Sequence, residues 1–154
     1  MWLYSVYFIA TSNVDCFVLR FNQIRLGMKL STPYINSGVM LINVYELRKI
    51  DVFGNIKKFL DKKKNVLMLP DQDIISALYG DRIKLIDGLR FNLSDRALSL
   101  YNFLKFDDKL DLDWVKENVV IIHYYGKNKP WKDNYKGVLN CFYDEVIEDS
   151  VLAK

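Results

Sequence analysis

Val119-Val120-Ile121-Ile122-His123-Tyr124-Tyr125-Gly126-Lys127-Asn128-Lys129-Pro130-Trp131 is the stretch on which the fold turns. Its first seven residues are apolar, β-branched or aromatic, which predicts a buried strand over 119–125. That strand delivers His123 near its C-terminal end. In open α/β sheets, ligands bind at the C-terminal ends of strands. Gly126 lets a backbone come close to a ligand, and Lys129 can set a cation against a phosphate. Pro130 and Trp131 stiffen the loop. The segment therefore points to an anion or metal site rather than a plain strand-to-helix turn.

Working outward, Asp111 starts a short helix, and residues 138–147 form a last helix with a broad apolar face that includes Phe142 and Val146. Upstream, residues 82–86 read as a strand. Pro70-Asp71 starts a helix that Gly80 ends. Asp51 caps another, in which Val52, Phe53, Ile56, Phe59 and Leu60 make one apolar stripe. Residues 39–44 read as a short buried strand behind the turn Ser37-Gly38. Residues 13–33 have mixed polarity and read as a loop with short pieces of structure. Residues 2–10 read as a buried strand. Alternating strands and helices predict α/β layers around a partly parallel sheet.

The chain of 154 residues is long enough for one domain, residues 1–154, with a real core. At 51% hydrophobic and 27% charged it is neither disordered nor collagen-like. Cys16 and Cys141 form no disulfide scaffold, and no CxxC pair suggests a zinc ribbon. A reducing, cytoplasmic setting follows as the default. His123 is the sole histidine, so histidine chemistry must run through it. The net charge of +3 is mild, and the basic residues form no stripe. The abundant aromatics fill apolar runs, and no nucleic acid is expected as a partner. The N-terminal run lacks a positive lead and is too short and polar to span a membrane.

Two further segments carry polar side chains. Asp71-Gln72-Asp73 is sufficiently explained as a helix N-terminus with an acidic first turn; its functional reading is a cluster that grips sugar hydroxyls or a developing positive charge. It is formally a DxD triplet, as is Asp111-Leu112-Asp113; such triplets are common by chance. Tyr34 to Asn43 places a polar turn before a strand, which alone is an ordinary turn.

Together these segments resemble the family 8 glycosyltransferases, which include bacterial lipopolysaccharide glucosyl- and galactosyltransferases and glycogenin. The resemblance rests on Ile24-Arg25-Leu26-Gly27-Met28, on Tyr34 to Asn43, on Leu69-Pro70-Asp71-Gln72-Asp73, on Gly88-Leu89-Arg90-Phe91-Asn92 and on His123 to Trp131. It covers nearly the whole chain. It implies a GT-A, Rossmann-like fold with a mixed sheet. It implies retaining transfer of a hexose from a UDP-sugar, glucose or galactose, to a saccharide or glycolipid acceptor, with Mn²⁺ or Mg²⁺.

On the matching positions the resemblance makes His123 a metal ligand. It puts Gly126 and Lys129 on the donor diphosphate. It puts Asn36, Asp71 and Gln72 in the sugar pocket, with Gln72 opposite the leaving group, and Asp15 as a further sugar contact. Two departures stand out. The family's metal-binding DxD and first strand lie ahead of the segment matching residues 2–10, so the chain reads as the C-terminal part of such a domain. The usual Asn after the acidic motif is Ser76 here. The full-length form is expected to allow peripheral membrane association. The alternative function is a truncated, non-catalytic remnant that binds sugar or a partner protein.

Overall fold

The computed structural model describes residues 6–12, 14, 16–105 and 107–152. The elements are β1 (Phe8–Thr11), α1 (Cys16–Leu26), β2 (Asn36–Ile42), α2 (Val44–Leu47), α3 (Val52–Lys63), α4 (Pro70–Tyr79), β3 (Ile83–Leu85), α5 (Gly88–Phe91), α6 (Asp95–Leu104), α7 (Leu112–Asn118) and α8 (Asn140–Leu152). The chain divides into two compact units, 1–86 and 87–154. The expected α/β class with a mixed sheet is what forms.

In the first unit a three-stranded sheet runs in the order β2-β1-β3. β1 is antiparallel to β2, with Ile9 opposite Leu41, and parallel to β3, with Ile9 opposite Lys84. A bulge between Ala10 and Thr11 closes the β1–β2 ladder. Phe8 and Ala10 point to the buried face, where Leu26, Tyr34, Ile35 and Tyr79 complete the core. The expected strand over 2–10 is thus present over 8–11; residues 2–5 lie outside the described residues.

Three expectations need correction here. Residues 13–33 are not mainly loop: α1 occupies 16–26. It buries Asn22, Gln23 and Leu26 while Phe17 and Ile24 stay 78% and 77% exposed. Its polarity is the inverse of an ordinary surface helix, which hid the period. The buried amide of Gln23 is satisfied by the carbonyls of Leu30 and Thr32, both at 2.9 Å. β2 is present but half-exposed, because it is an outer strand of the sheet among the described residues. In α3, Asp51 caps Gly54 N–H at 2.8 Å as expected, yet Phe53 faces solvent and only the rest of the stripe is half-buried.

α4 starts with Pro70 in its first turn and ends at Gly80. Gly80 is right-handed, so it does not end the helix by a left-handed turn. It is small because a Cβ there would lie 1.9 Å from the methyl carbon of buried Thr32. Gly80→Ala should therefore destabilise the protein by about 1–3 kcal/mol through overpacking. Thr32→Ser removes that methyl group, so the double variant should recover part of the loss. Urea midpoints of the four proteins check this.

The second unit is built on Leu93, Leu98, Leu110, Val115 and Leu139, with Trp114, Tyr124 and Phe142 packed around them. Caps fix its helices: Ser94 bonds Ala97 N–H at 3.2 Å, and Asp111 bonds Trp114 N–H at 2.8 Å. α8 forms as expected and packs Phe142 inward, but Val146 is 64% exposed. The expected strand over 119–125 is reduced to one parallel bridge, Leu93 with Ile122. Its partner is the short extended link between α5 and α6, which leaves room for few rungs. Leu93 N–H donates to Ile121 O at 3.0 Å, and His123 N–H donates to Leu93 O at 2.7 Å.

Candidate functional site

The first unit brings Asn36, Asp71 and Gln72 to neighbouring positions. β2 begins at Asn36, whose side-chain oxygen accepts from Gly38 N–H at 2.8 Å and fixes the turn into the strand. Ser37 Oγ donates to Asp71 Oδ2 at 2.5 Å, tying that turn to the first turn of α4. Asp71 is exposed and Gln72 half-buried. Ser76 is fully buried, and its Oγ accepts from Ile35 N–H at 3.1 Å. It joins the same turn to the second turn of α4.

Asp73 turns the other way. Its side chain is fully buried, and Arg25 grips it with a two-pronged contact of 2.8 and 2.9 Å. Tyr34 Oη donates at 2.7 Å, and the N–H groups of Met68 and Leu69 donate at 2.7 and 3.2 Å. Burial pushes the Asp73 carboxyl up, but Arg25, Met68 N–H, Tyr34 and Leu69 N–H together hold it below its ordinary value. The Tyr34 hydroxyl is pushed up to about 12, first by burial and then by the Asp73 carboxylate; Gln72 works against the rise. Arg25 also donates to Val66 O at 2.5 Å and to Asn22. Asp73 is thus the anchor that sets where α4 begins, and so where Asp71 and Gln72 stand.

The second unit gathers His123, Gly126 and Lys129. His123 Nδ1 lies 2.8 Å from Oδ1 of fully buried Asn92. An amide oxygen can only accept, so Nδ1 carries the proton and Nε2 keeps its lone pair. Burial pushes the His123 pKa down, and the Lys129 charge adds to that. The ring is therefore neutral near pH 7, the form that binds a metal. Gly126 sits at φ +74°, in the left-handed region, with no atom other than those of its chain neighbours within 4 Å of where a Cβ would be. Lys129 Nζ donates to Tyr124 O at 2.5 Å and lies 5.4 Å from the Trp131 ring centre. The loop beyond is clamped by Asn128 on Lys136 and by Asp95, which accepts from Tyr135, Val138 and Leu139.

Among the described residues no group of three His, Cys, Asp or Glu side chains could hold a metal. His123 fits as one ligand with a positioned ring; these residues do not complete an Mn²⁺ or Mg²⁺ site. Asp15 lies outside the described residues. Sequence reasoning assigned no role to Arg25, Tyr34, Asn92 or the inward turn of Asp73. All four sit in segments quoted above, and their burial and mutual contacts are what the sequence did not show. No helix among the described residues is long and apolar enough to cross a membrane.

The arrangement can be set beside known proteins. A lipopolysaccharide glucosyltransferase of Escherichia coli K12 is 29% identical over 106 residues, covering 68% of this chain and 29% of that protein. A glycosyltransferase by assignment from Haemophilus influenzae is 32% identical over 114 residues, covering 74% of this chain and 32% of its own length. The chain thus spans about a third of the curated relatives it matches. In fold it is similar to the galactosyltransferase LgtC solved with donor and acceptor sugar analogs, at a TM-score of 0.69 and 23% identity, covering 94% of this chain and 52% of that one. The α/β arrangement is accordingly that of the GT-A glycosyltransferases. The profile described as glycosyl transferase family 8 matches residues 4–135, which takes in the α4 anchor, the Asn92–His123 pair and the Lys129 loop, and the chain belongs to that family.

Proposed function

We propose that the chain carries donor-binding residues of a retaining hexosyltransferase. The donor is UDP-glucose or UDP-galactose, and the acceptor is a saccharide or glycolipid of a cell-surface glycan. The observation that carries this reading is the second unit's cluster: a neutral His123 with a free Nε2, a left-handed Gly126 and the Lys129 ammonium within one short loop. Those groups suit a diphosphate leaving group. Gly126 exposes backbone N–H to phosphate oxygens, and Lys129 supplies a point charge. A divalent cation, when bound, would supply further charge for the diphosphate, with His123 among its ligands.

In the first unit, Asn36 and Asp71 offer amide and carboxylate groups to sugar hydroxyls. Gln72 stands against the reacting carbon, where its carbonyl dipole stabilises an oxocarbenium-like centre. An amide is a weak nucleophile, so the reading takes front-face attack with a diphosphate oxygen accepting the acceptor's proton. Asp15 joins the sugar contacts. The setting is cytoplasmic, with peripheral contact to the membrane where the acceptor is a glycolipid.

Steady-state kinetics with UDP-glucose and UDP-galactose test the reading. Lys129→Ala should raise the donor KM or Kd about 10- to 100-fold, the worth of a charged hydrogen bond of about 1.5–3 kcal/mol. Gln72→Ala should mainly lower kcat, because its partner develops in the transition state. An unchanged donor KM for Lys129→Ala would count against the assignment. Donor binding without turnover would favour the alternative, a remnant that binds sugar without acting on it.

A further inference from the structure

Beside the Lys129 loop, residues 130–133 and one side of α8 enclose an open groove of about 500 Å³. That size is ordinary for a small-ligand site. Its apolar wall is Pro130, Trp131, Tyr143 and Ile147. Trp131 is 58% exposed, yet its ring is held 6.0 Å from Tyr143 at 45° and under the Lys129 ammonium. On α8, Tyr143 and Ile147 are one turn apart, and so are Asp144 and Glu148. The helix therefore presents an apolar ridge and an acidic ridge side by side. Asp133 adds a third carboxylate from the loop.

We propose that this groove is a saccharide subsite that holds a neutral sugar of the acceptor, with Trp131 as its stacking platform. The proposal rests on the glycosyltransferase reading above. A pyranose has one apolar C–H face and a rim of hydroxyl donors. The indole and phenol rings match the face, and the carboxylates of Asp133, Asp144 and Glu148 accept from the rim. Asp133 and Glu148 make no hydrogen bond or ion pair among the described residues, and Asp144 takes only the Asn140 amide at 3.3 Å. Three carboxylates line the groove against one lining ammonium, Lys132, and the Lys129 ammonium above Trp131, which leaves the balance net negative. That balance repels phosphate-rich partners, so a nucleic acid or an anionic membrane fits poorly. A neutral saccharide meets no such repulsion.

The test uses the full chain labelled with 5-fluorotryptophan and read by fluorine NMR, with neither UDP-sugar nor metal present. Methyl α-glucoside, lactose and maltotriose are the probes, and Trp114, packed on the core, is the internal reference. At least one sugar should shift the Trp131 signal saturably at millimolar concentration and leave Trp114 still. By saturation-transfer NMR, Trp131→Ala should weaken binding about tenfold or more, Trp131→Phe should keep part of it, and Asp144→Asn should weaken it. Trp131 is exposed, so its truncation leaves the core intact. A Trp131 signal silent to all three sugars overturns the proposal, as does binding unchanged in Trp131→Ala. A signal that answers only to phosphatidylglycerol vesicles overturns it too. Sugar binding here with no turnover of UDP-sugar sinks only the transferase reading. Turnover with a silent groove sinks only this one.

Discussion

Asp73→Asn should destabilise the protein by about 3–5 kcal/mol, the cost of removing one member of a buried ion pair. The substitution keeps the shape and removes the charge. Arg25, with its side chain 10% exposed, is then left without its counter-charge, and its Nε already has no partner among the described residues. Replacing both residues, as Arg25→Met with Asp73→Leu, should cost less than the single change, because no stranded charge remains. The pH dependence follows from the lowered folded pKa of Asp73. Its contribution is full above the ordinary carboxylate value near 4 and is lost as pH falls through the depressed folded value. Urea midpoints for wild type and Asp73→Asn should therefore converge in acid and stay apart at pH 7. A gap that persists unchanged in strong acid would show that the charge is not what stabilises the fold.

Leu93→Ala should cost about 2–5 kcal/mol, the range for a large-to-small change in a packed core. Leu93 is fully buried at the centre of the second unit's cluster. Its backbone also accepts from His123 N–H and adjoins Asn92, so backbone adjustment around the cavity is passed to the His123–Asn92 pair. The His123 ring resonances should broaden or shift as the Asn92 contact loosens. Leu93→Met, nearly isosteric, should cost below about 1.5 kcal/mol and leave those resonances in place. Equal losses for the two variants would contradict the packing account.

What the sequence revealed depended on whether local chemistry or distant partners decided the outcome. The starts of α3, α4 and α7 were legible because Asp51, Pro70 and Asp111 act on the next few residues alone. β2 was legible from a short apolar run and β3 was expected over 82–86, but exposure at β2 was not legible, because the sheet order sets it. α1 was missed because two of its three buried side chains are amides. Its stop signal was present all the same: Gly27, at φ +69°, closes it with the bonds Met28 N–H to Gln23 O and Gly27 N–H to Ile24 O. The run 119–125 had the composition of a strand and lacked a partner long enough to make it one. Family motifs located Asn36, Asp71, Gln72, His123, Gly126 and Lys129 as positions. They did not show that Asp73 faces inward, since only its distance to Arg25 and Tyr34 does that.

The place of β1 between β2 and β3 also bears on how the molecule comes together in time. The central strand is made first, yet its parallel partner lies at 83–85. On the ribosome the three-strand sheet cannot close until that far segment has emerged. Such non-local pairing slows folding, since the ends of a long loop must meet before any contact stabilises them. Until then Phe8 and Ile9 pass through the nascent state with one edge unpaired, where a chaperone or a neighbouring chain can reach them.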